Sequence, residues 1–324
     1  MSVLKALASG TRRMLGSAVL ILLVWLTVLL FALPGAVIME DLIRQDIGSS
    51  LIHDNLREGL DLGWLEEFHH RRGGLAKTLT PSTVSSVAVF DNLEAWFSGE
   101  WFTRHRGLAA AGITFLVAWI FLQGGILSHL AHRGQQFEMS SFMGAGGAYF
   151  FRFLRLGLLS GMAYYGIYRL ARWLFPKIDQ LTQDVTVEKT ALAYHLSGAV
   201  VILLVMAFVR LVADYAKIAT IREQRRSMLL AVLRSLGQVV RHPFQAFGLL
   251  GVLSGMLLLL QGAYFLLAPD ATGMTTVALI VAFGVGQVYL ILRWALRVTL
   301  FGAEIYLFDQ WSGRAASRGG RFVG

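Results

Sequence analysis

Cysteine is absent from this 324-residue chain, which excludes disulfide bonds, thiolate metal sites and cysteine nucleophiles. Charged residues are scarce as well, at 15% of the sequence, whereas soluble domains carry roughly a quarter. Hydrophobic residues make up 56%, and the mean hydropathy is +0.59. A chain with so few charges has too little polar surface to cover its apolar residues in water, so the composition predicts a membrane protein.

Catalytic and nucleotide-binding motifs are missing too. The sequence contains no G-x-S-x-G, H-E-x-x-H, G-x-x-x-x-G-K-[ST] or dinucleotide-binding fingerprint. His129 and His132 lie three residues apart, but Glu138 is the only carboxylate close to them in the sequence, which is a poor ligand set for a metal. We therefore expect no metal, no cofactor and no enzymatic activity.

Long apolar stretches are what the sequence has in abundance. A helix rises ~1.5 Å per residue, so ~20 apolar residues cross a ~30 Å hydrocarbon core. Barrel strands would alternate over ~10 residues, and runs such as Leu249 to Leu260 do not alternate. We therefore predict an all-α, polytopic membrane helix bundle of about six transmembrane helices. The predicted spans are 15–38, 108–130, 153–175, 192–213, 246–267 and 274–300.

The N-terminus allows two interpretations. Lys5, Arg12 and Arg13 precede an apolar run over 15–33, and the small residues that follow Pro34 resemble a signal-peptide cleavage site. The run is, however, longer than the 7–15 residues usual for a signal peptide. The pattern therefore favours an uncleaved first span over a cleaved signal.

Basic residues flank the spans unevenly, and short cytoplasmic loops are enriched in Lys and Arg. This rule predicts that both termini are cytoplasmic. Arg169, Arg172 and Lys177 are the exception, because they fall at the outer end of the third span, where long basic side chains can reach the headgroups. The basic residues predicted inside are Arg12, Arg13, Arg133, Arg152, Arg155, Lys217, Arg222, Arg225, Arg226, Arg234, Arg241, Arg314, Arg318 and Arg321.

The segment 39–106 is the only sizeable predicted extramembrane region. Its first half alternates acids with Leu, Ile, Trp64 and Phe68 at near-helical spacing, which predicts amphipathic helices in a small outer cap. The predicted division of the chain is 1–38 for the first span, 39–106 for the cap, 107–135 for the second span, 136–216 and 217–310 for two helical hairpins, and 311–324 for a cytoplasmic tail.

The two predicted hairpins look like copies of one unit. Leu-Ser-Gly-Met occurs at 159–162 and again at 253–256, and Phe150 then matches Phe244. With a shorter turn in the second copy, Arg210 matches Arg297. The alternative is that Leu-rich helices with small residues resemble each other by chance. If the repeat is real, the copies run parallel, and the first two spans form a third hairpin.

An amphipathic segment precedes each repeated hairpin, at 137–155 and 217–242. We expect each to form an elbow helix lying in the cytoplasmic leaflet, the second ended by Pro243 because proline lacks an N–H donor. The predicted headgroup-binding residues are Arg152, Arg155, Arg222, Arg225 and Arg226. The residues of the second elbow predicted to face the acyl chains are Met228, Leu229, Val232, Leu233 and Leu236.

A net charge of +9 and a pI near 10.1 raise the question of nucleic acid. The Lys and Arg residues lie mostly beside apolar spans rather than in one basic domain. Membrane lipids with anionic headgroups at the cytoplasmic face are therefore the expected partner, and nucleic acid is not.

Ionisable residues at the inner ends of two spans form the candidate site. Arg210, Asp214 and Lys217 follow one another at i,i+4 and i,i+3 spacing, and Arg297 and Glu304 occupy the corresponding region of the last span. Charges beside hydrocarbon are costly unless they are paired or hydrated. They either tie helices together or line a polar route, and the second interpretation predicts that they converge and are hydrated. The polar residues deeper in the predicted spans are Gln123, Gln261, Gln287 and His195. The amides are expected to bond between helices, and a substrate role is the alternative.

Four motifs carry a family resemblance: Tyr-Phe-Phe-Arg-Phe-Leu-Arg-Leu at 149–156, Asp-Tyr-Ala-Lys-Ile at 214–218, Arg-Arg-Ser at 225–227 and Arg-His-Pro at 241–243. With these the chain resembles an uncharacterised group of bacterial polytopic inner-membrane proteins. The layout is also distantly similar to the membrane halves attached to some glycerophosphodiesterases, without a catalytic half. The resemblance implies the bacterial cytoplasmic membrane as the location.

Two functional hypotheses follow. In the first, the chain is a noncatalytic membrane protein that supports the cap or assembles with other envelope proteins. In the second, it is a transporter or lipid-handling protein that admits an amphipathic or anionic substrate through the charged inner ends. An enzyme acting on lipid headgroups is a third, weaker hypothesis because the chain lacks a catalytic constellation.

Overall fold

A computed structural model of the chain describes residues 2–48, 62–72, 76, 79, 106–132, 136–183, 187–267 and 276–313. All regular secondary structure in these ranges is helical, which confirms the predicted all-α fold. Most of the predicted cap, the turn at 268–275 and the tail at 314–324 lie outside the described residues. The helices are α1 (Ser2–Leu15), α2 (Ala18–Ile47), α3 (Leu62–Arg71), α4 (Arg106–Ala131), α5 (Met139–Thr182), α6 (Glu188–Glu223), α7 (Met228–Arg241), α8 (Pro243–Leu267) and α9 (Thr276–Trp311).

Five helices in the described part of the chain are long and apolar enough to cross a membrane. They are α2, α4 from Ala111, α6, α8 and α9 from Val277. The chain is therefore a multi-pass helical membrane protein.

The number of such helices is five rather than the expected six or so. The predicted third span, 153–175, lies within α5, and α5 is not among the five. The predicted stretch is less apolar than the other spans, because it contains three arginines and three tyrosines: Arg155, Tyr164, Tyr165, Tyr168, Arg169 and Arg172. Leu158, Met162 and Trp173 of α5 are nevertheless exposed, so its crossing of the membrane stays a prediction.

The chain divides into two compact units. The first comprises 1–19, 117–255 and 296–324, and the second comprises 20–116 and 256–295. Long helices such as α8 and α9 contribute residues to both units. The hairpin boundaries predicted from the repeat stay predictions.

Helix α7, in the first unit, forms only the later part of the second predicted elbow, 217–242, because 217–223 is the end of α6. The Ser227 side chain accepts a hydrogen bond from the Leu230 N–H at 3.5 Å and caps its start. At its end the His242 N–H bonds to the Gln238 carbonyl at 3.0 Å, and Pro243 begins α8. A proline is well placed at a first helical position, where its missing N–H would have no intrahelical partner.

The outward face of α7 differs in part from the prediction. Leu229, Leu233 and Leu236 are exposed as expected. Met228, by contrast, is buried with Leu156, Ala216 and Ala231. Val232 packs against the same cluster. At 3.6 residues per turn, Met228 and Val232 share the inward face with Ala231, so placing them toward acyl chains was wrong.

The first predicted elbow is not a separate helix. The segment 139–155 is the beginning of α5, which continues to Thr182. The repeat alignment explains the difference, because it matches Pro243 with Tyr149, which carries the backbone N–H that proline lacks. Without a helix-breaking residue, elbow and hairpin helix remain continuous in the first copy.

Helix α1 is an element that the sequence reasoning missed. It was treated as the basic flank of the first span, yet Ala6 and Gly10 are fully buried. Gly10 lies so close to α9 that an added Cβ would collide with the Thr299 carbonyl oxygen and come within 2.9 Å of the Ala303 nitrogen. The absence of a side chain at Gly10 is what allows α1 to pack on α9.

The same type of contact occurs at two further places in the first unit. A Cβ on Gly124 of α4 would lie 3.2 Å from the Gly146 Cα of α5, and Ala231 of α7 is buried with Ala216 of α6. Each amphipathic segment thus packs through small residues on the second helix of a predicted hairpin. This regularity agrees with an architecture of three hairpins, each entered through an amphipathic segment.

Candidate functional site

The charge cluster, defined as Arg210, Asp214, Lys217, Arg297 and Glu304, is built around one buried carboxylate. The Asp214 side chain is only 3% exposed. Lys217 donates to Asp214 Oδ1 at 2.9 Å. Arg210 Nε lies 3.8 Å and Arg297 Nη2 3.7 Å from Asp214 Oδ2. The helical spacing puts Arg210 and Lys217 beside Asp214, and the packing of α9 adds Arg297.

Glu304 is the second buried acid of the cluster. It is 0% exposed, and neither of its oxygens has a hydrogen-bond partner in the described part of the chain. Asp214, Arg297, Arg210 and Lys217 all lie within electrostatic reach of its carboxyl group. A buried carboxyl group without hydrogen bonds is costly, so the position of Glu304 needs an explanation beyond packing.

Aromatic rings enclose the cluster. The guanidinium of Arg297 lies over the Phe301 ring at 4.7 Å, a cation–π geometry. Tyr215 is fully buried and its ring contacts that of Trp311 at 4.9 Å. Tyr164 of α5 lies within electrostatic reach of Asp214. Sequence reasoning missed Tyr164, because a tyrosine's position along its own helix carries no signal of charges on other helices.

A second group of ion pairs follows the cluster toward the ends of α6 and α9. Arg222 Nη2 contacts Asp309 Oδ2 at 2.5 Å, and both side chains are mostly buried. Asp309 was not singled out from the sequence, although the repeat alignment offers a signal: it matches Arg222 with Asp309 and Lys217 with Glu304. Equivalent positions of the two copies thus carry opposite charges.

The arginines predicted to bind headgroups have different surroundings. Arg225 pairs with Glu223 at 2.5 Å, and the Arg222 side chain, at 10% exposed, is turned to Asp309. Arg155 and Arg226 are exposed, and Arg152 lies over the Tyr149 ring at 5.6 Å. Headgroup binding stays a prediction, and Arg155 and Arg226 have the most accessible side chains for it.

Two of the three amides predicted to bond between helices, Gln261 and Gln287, do so in the second unit. Gln123 is buried in the first unit, where His195 of α6 lies 2.8 Å from Asp179 of α5. Gln287 accepts a hydrogen bond from Trp25 Nε1 at 2.9 Å, joining α2 to α9. Gln261 of α8 accepts one from the Tyr289 hydroxyl. These contacts give both amides a structural role within their unit.

A polar cleft of about 200 Å³ lies elsewhere in the first unit, at the end of α4 and the start of α5. His132 Nδ1 is 2.8 Å from the Ser128 carbonyl, and Ser141 donates to Glu138 at 3.0 Å. Among the described residues no group of three or more His or acidic side chains could hold a metal. The expectation that the chain binds no metal stays a prediction. The cleft is lined by Gly125, Ser128, His129, His132, Gln136, Glu138, Ser141 and Phe142.

Comparison of the chain with protein-family models, curated proteins and solved structures found no match. The resemblance to bacterial inner-membrane proteins therefore remains an expectation. The charge cluster offers cationic hydrogen-bond donors held in place by a buried carboxylate.

Proposed function

We propose that the chain is a noncatalytic multi-pass protein of the bacterial cytoplasmic membrane that acts as a scaffold or partner subunit of an envelope complex. Both termini are cytoplasmic in this proposal, and the cap faces outward. The observation that carries it is the length of α2, a single helix from Ala18 to Ile47. It extends about two and a half turns beyond the predicted span 15–38.

The part of the cap that the structure describes is built on those last turns. Trp64, Leu65 and Phe68 of α3 are buried, and they pack against Leu42 and Ile43 of α2. A helix that is continuous with a membrane span and carries its own small core fits a protein that holds the cap at a defined place on the membrane surface.

A buried polar contact fixes the same junction. Asp46, at the end of α2, accepts a hydrogen bond from Trp64 Nε1 at 3.1 Å. Arg71, the last residue of α3, and Arg72, which follows it, lie 3.5 and 3.9 Å from its carboxylate. Hydrogen bonds to charged groups contribute about 1.5–3 kcal/mol, so the junction resists bending between α2 and α3. This rigidity supports a role in presenting the cap.

The charge cluster also favours a structural role. A polar route would hydrate its charges, whereas Asp214 and Glu304 are buried and three cations surround Asp214. These ion pairs join α6 to α9, and a solute has little access to the two buried carboxyl groups.

Isolation of the full chain at its normal expression level tests the proposal. In mild detergent we expect one second envelope protein to be recovered reproducibly with it. Glu66→Arg, on the exposed surface of α3, should reduce that recovery, whereas Glu188→Arg, an exposed acid outside the cap, should not. Recovery of the chain alone, or equal effects of the two variants, contradicts the proposal.

A second candidate function, the handling of an amphipathic or anionic substrate, is favoured by one observation. Arg210 and Arg297, matched in the repeat, approach the same oxygen of Asp214 from two helices. One arginine paired with Asp214 would be enough to join the two helices.

A further inference from the structure

Arg210 and Arg297 hold hydrogen-bond donors that the described part of the chain does not use. Their distances to Asp214 Oδ2, 3.8 and 3.7 Å, exceed hydrogen-bonding distance. Lys217 takes the other oxygen of Asp214 at 2.9 Å. A guanidinium group has five N–H donors, and leaving them without partners beside a membrane core is costly.

The accessible surface of the cluster is cationic. The Arg210, Arg297 and Lys217 side chains are 38%, 24% and 16% exposed, against 3% for Asp214. Glu304 is fully buried. Three cations against two carboxyl groups leave a net charge of at least +1, whatever the protonation state of Glu304. A molecule approaching the cluster therefore meets positive charge and free N–H donors.

The spacing of the two guanidinium groups suits a phosphate. Arg210 Nε and Arg297 Nη2 lie 3.8 and 3.7 Å from Asp214 Oδ2, so the two nitrogens are separated by at most about 7.5 Å, the sum of these distances. Two N–H···O bonds of ~2.9 Å, together with the width of a phosphate group, bridge such a gap. Planar guanidinium groups bind phosphate oxygens in pairs, which a lysine ammonium does not reproduce.

We propose that Arg210 and Arg297 bind the phosphate of a phosphate ester, and that the source is a membrane phospholipid. Leu203 lies two helical turns before Arg210 and is exposed on the same side of α6. An acyl chain lies along this surface while the headgroup phosphate contacts the arginines. The buried Asp214 sets the separation of the two arginines, because both lie within ion-pairing distance of its Oδ2 atom. The site belongs to the second candidate function, and the scaffold function stands with or without it.

Native mass spectrometry of the purified full chain tests the site. The probe is phosphatidylglycerol added at increasing concentration in detergent. We expect the double variant Arg210→Gln, Arg297→Gln to lower the affinity by at least tenfold. Arg297→Lys keeps the charge but loses the paired geometry, and should lower it by a smaller factor. The matched control is Arg293→Gln, an exposed arginine one turn earlier on α9, which should leave binding unchanged.

A competition experiment separates the two sources of phosphate. Excess soluble glycerol phosphate should displace little bound lipid if the acyl chains contribute, as proposed. Complete displacement at comparable concentration overturns the phospholipid source. Equal binding by the double variant and the parent, or an equal loss in Arg293→Gln, overturns the site itself.

The test stays decisive if the double variant does not fold. Arg210→Lys and Arg297→Lys preserve the ion pairs with Asp214 and are measured singly, with thermal unfolding as the check of folding. Unchanged phosphatidylglycerol affinity in both folded lysine variants overturns paired recognition. Recovery of the envelope partner is recorded for each variant, so that failure of the lipid site and failure of the scaffold function are told apart.

Discussion

Asp214 and Glu304 are two buried acids in one cluster with different surroundings. Asp214 bonds to Lys217 and lies within ion-pairing distance of Arg210 and Arg297. Both oxygens of Glu304 lack hydrogen-bond partners among the described residues. The two carboxyl groups are buried to a similar degree, so burial alone predicts the same effect of removing either. Their contacts predict opposite effects of removal on the stability of the protein.

The first prediction compares the removal of each carboxyl group. Asp214→Leu leaves three cations without their shared counter-ion, and breaking a buried pair costs about 3–5 kcal/mol. Glu304→Met replaces an acid that has no hydrogen bonds by an apolar side chain of similar length, so we expect unchanged or raised stability. Thermal unfolding in one detergent measures both. An equal loss in the two variants would show that Glu304 has a stabilising partner.

At the scale of whole helices, small residues decide which elements pack closely. Gly10 allows contact between α1 and α9, and Gly124 with Gly146 allows contact between α4 and α5. Membrane helices gain little from apolar contact with each other, because lipid is equally apolar, so close backbone approach is an important source of association.

The second prediction concerns Gly10. Gly10→Ala adds a Cβ that collides with the Thr299 carbonyl oxygen, and overpacking of this kind costs about 1–3 kcal/mol. Gly147→Ala is the control, since nothing lies within 4 Å of its added Cβ; alanine there should stabilise the helix by up to about 1 kcal/mol. Chemical denaturation of the two variants gives the comparison. A Gly10→Ala protein as stable as Gly147→Ala would mean that α1 does not pack on α9 as described.

The third prediction concerns the outward face of α7. Leu229, Leu233, Leu236 and Val240 form an exposed apolar stripe, which an in-plane membrane helix directs toward acyl chains. A polarity-sensitive fluorophore on Leu233→Cys should report an apolar environment and be quenched by brominated lipid in bilayers. The same fluorophore on Arg226→Cys, at the exposed connection before α7, should report a more polar environment and be quenched less, because Arg226 is predicted to lie at the level of the headgroups. Equal quenching at the two sites would contradict the predicted orientation of α7.

At the scale of the whole molecule, the prediction concerns which side of the membrane the termini and the cap face. Uneven basic flanks predict cytoplasmic termini, and the proposed function requires the cap on the other side. The absence of cysteine makes this directly measurable, because any introduced cysteine is the only thiol in the chain.

The fourth prediction uses single cysteines and a maleimide that does not cross membranes. Glu66→Cys on α3 and Arg226→Cys before α7 are exposed positions. Intact spheroplasts should label Glu66→Cys, whereas Arg226→Cys should react only after the membrane is permeabilised. The reverse pattern would invert the topology and remove the proposed outward cap.

Local patterns were sufficient for much of the architecture. Composition and unbroken apolar runs predicted an all-α, multi-pass protein, because the length of an apolar run relates directly to membrane thickness. Helical spacing likewise placed Arg210, Asp214 and Lys217 on one face of α6. The arginines and tyrosines of α5 make it less apolar than the five helices identified in the described part, which is why the expected number of spans was larger.

Contacts between distant segments were decided only by the tertiary structure. Three contacts join residues that are far apart in the chain. Arg297 lies close to Asp214, Arg222 pairs with Asp309, and α1 packs on α9. The periodicity of a single helix shows which face is apolar but not which neighbour covers it, as Met228 illustrates by turning inward. The amino-acid sequence by itself determined that the chain is helical with long apolar spans, and where the charges lie along it. Packing between helices decided which charges share a partner, because that depends on how closely small residues let the backbones approach.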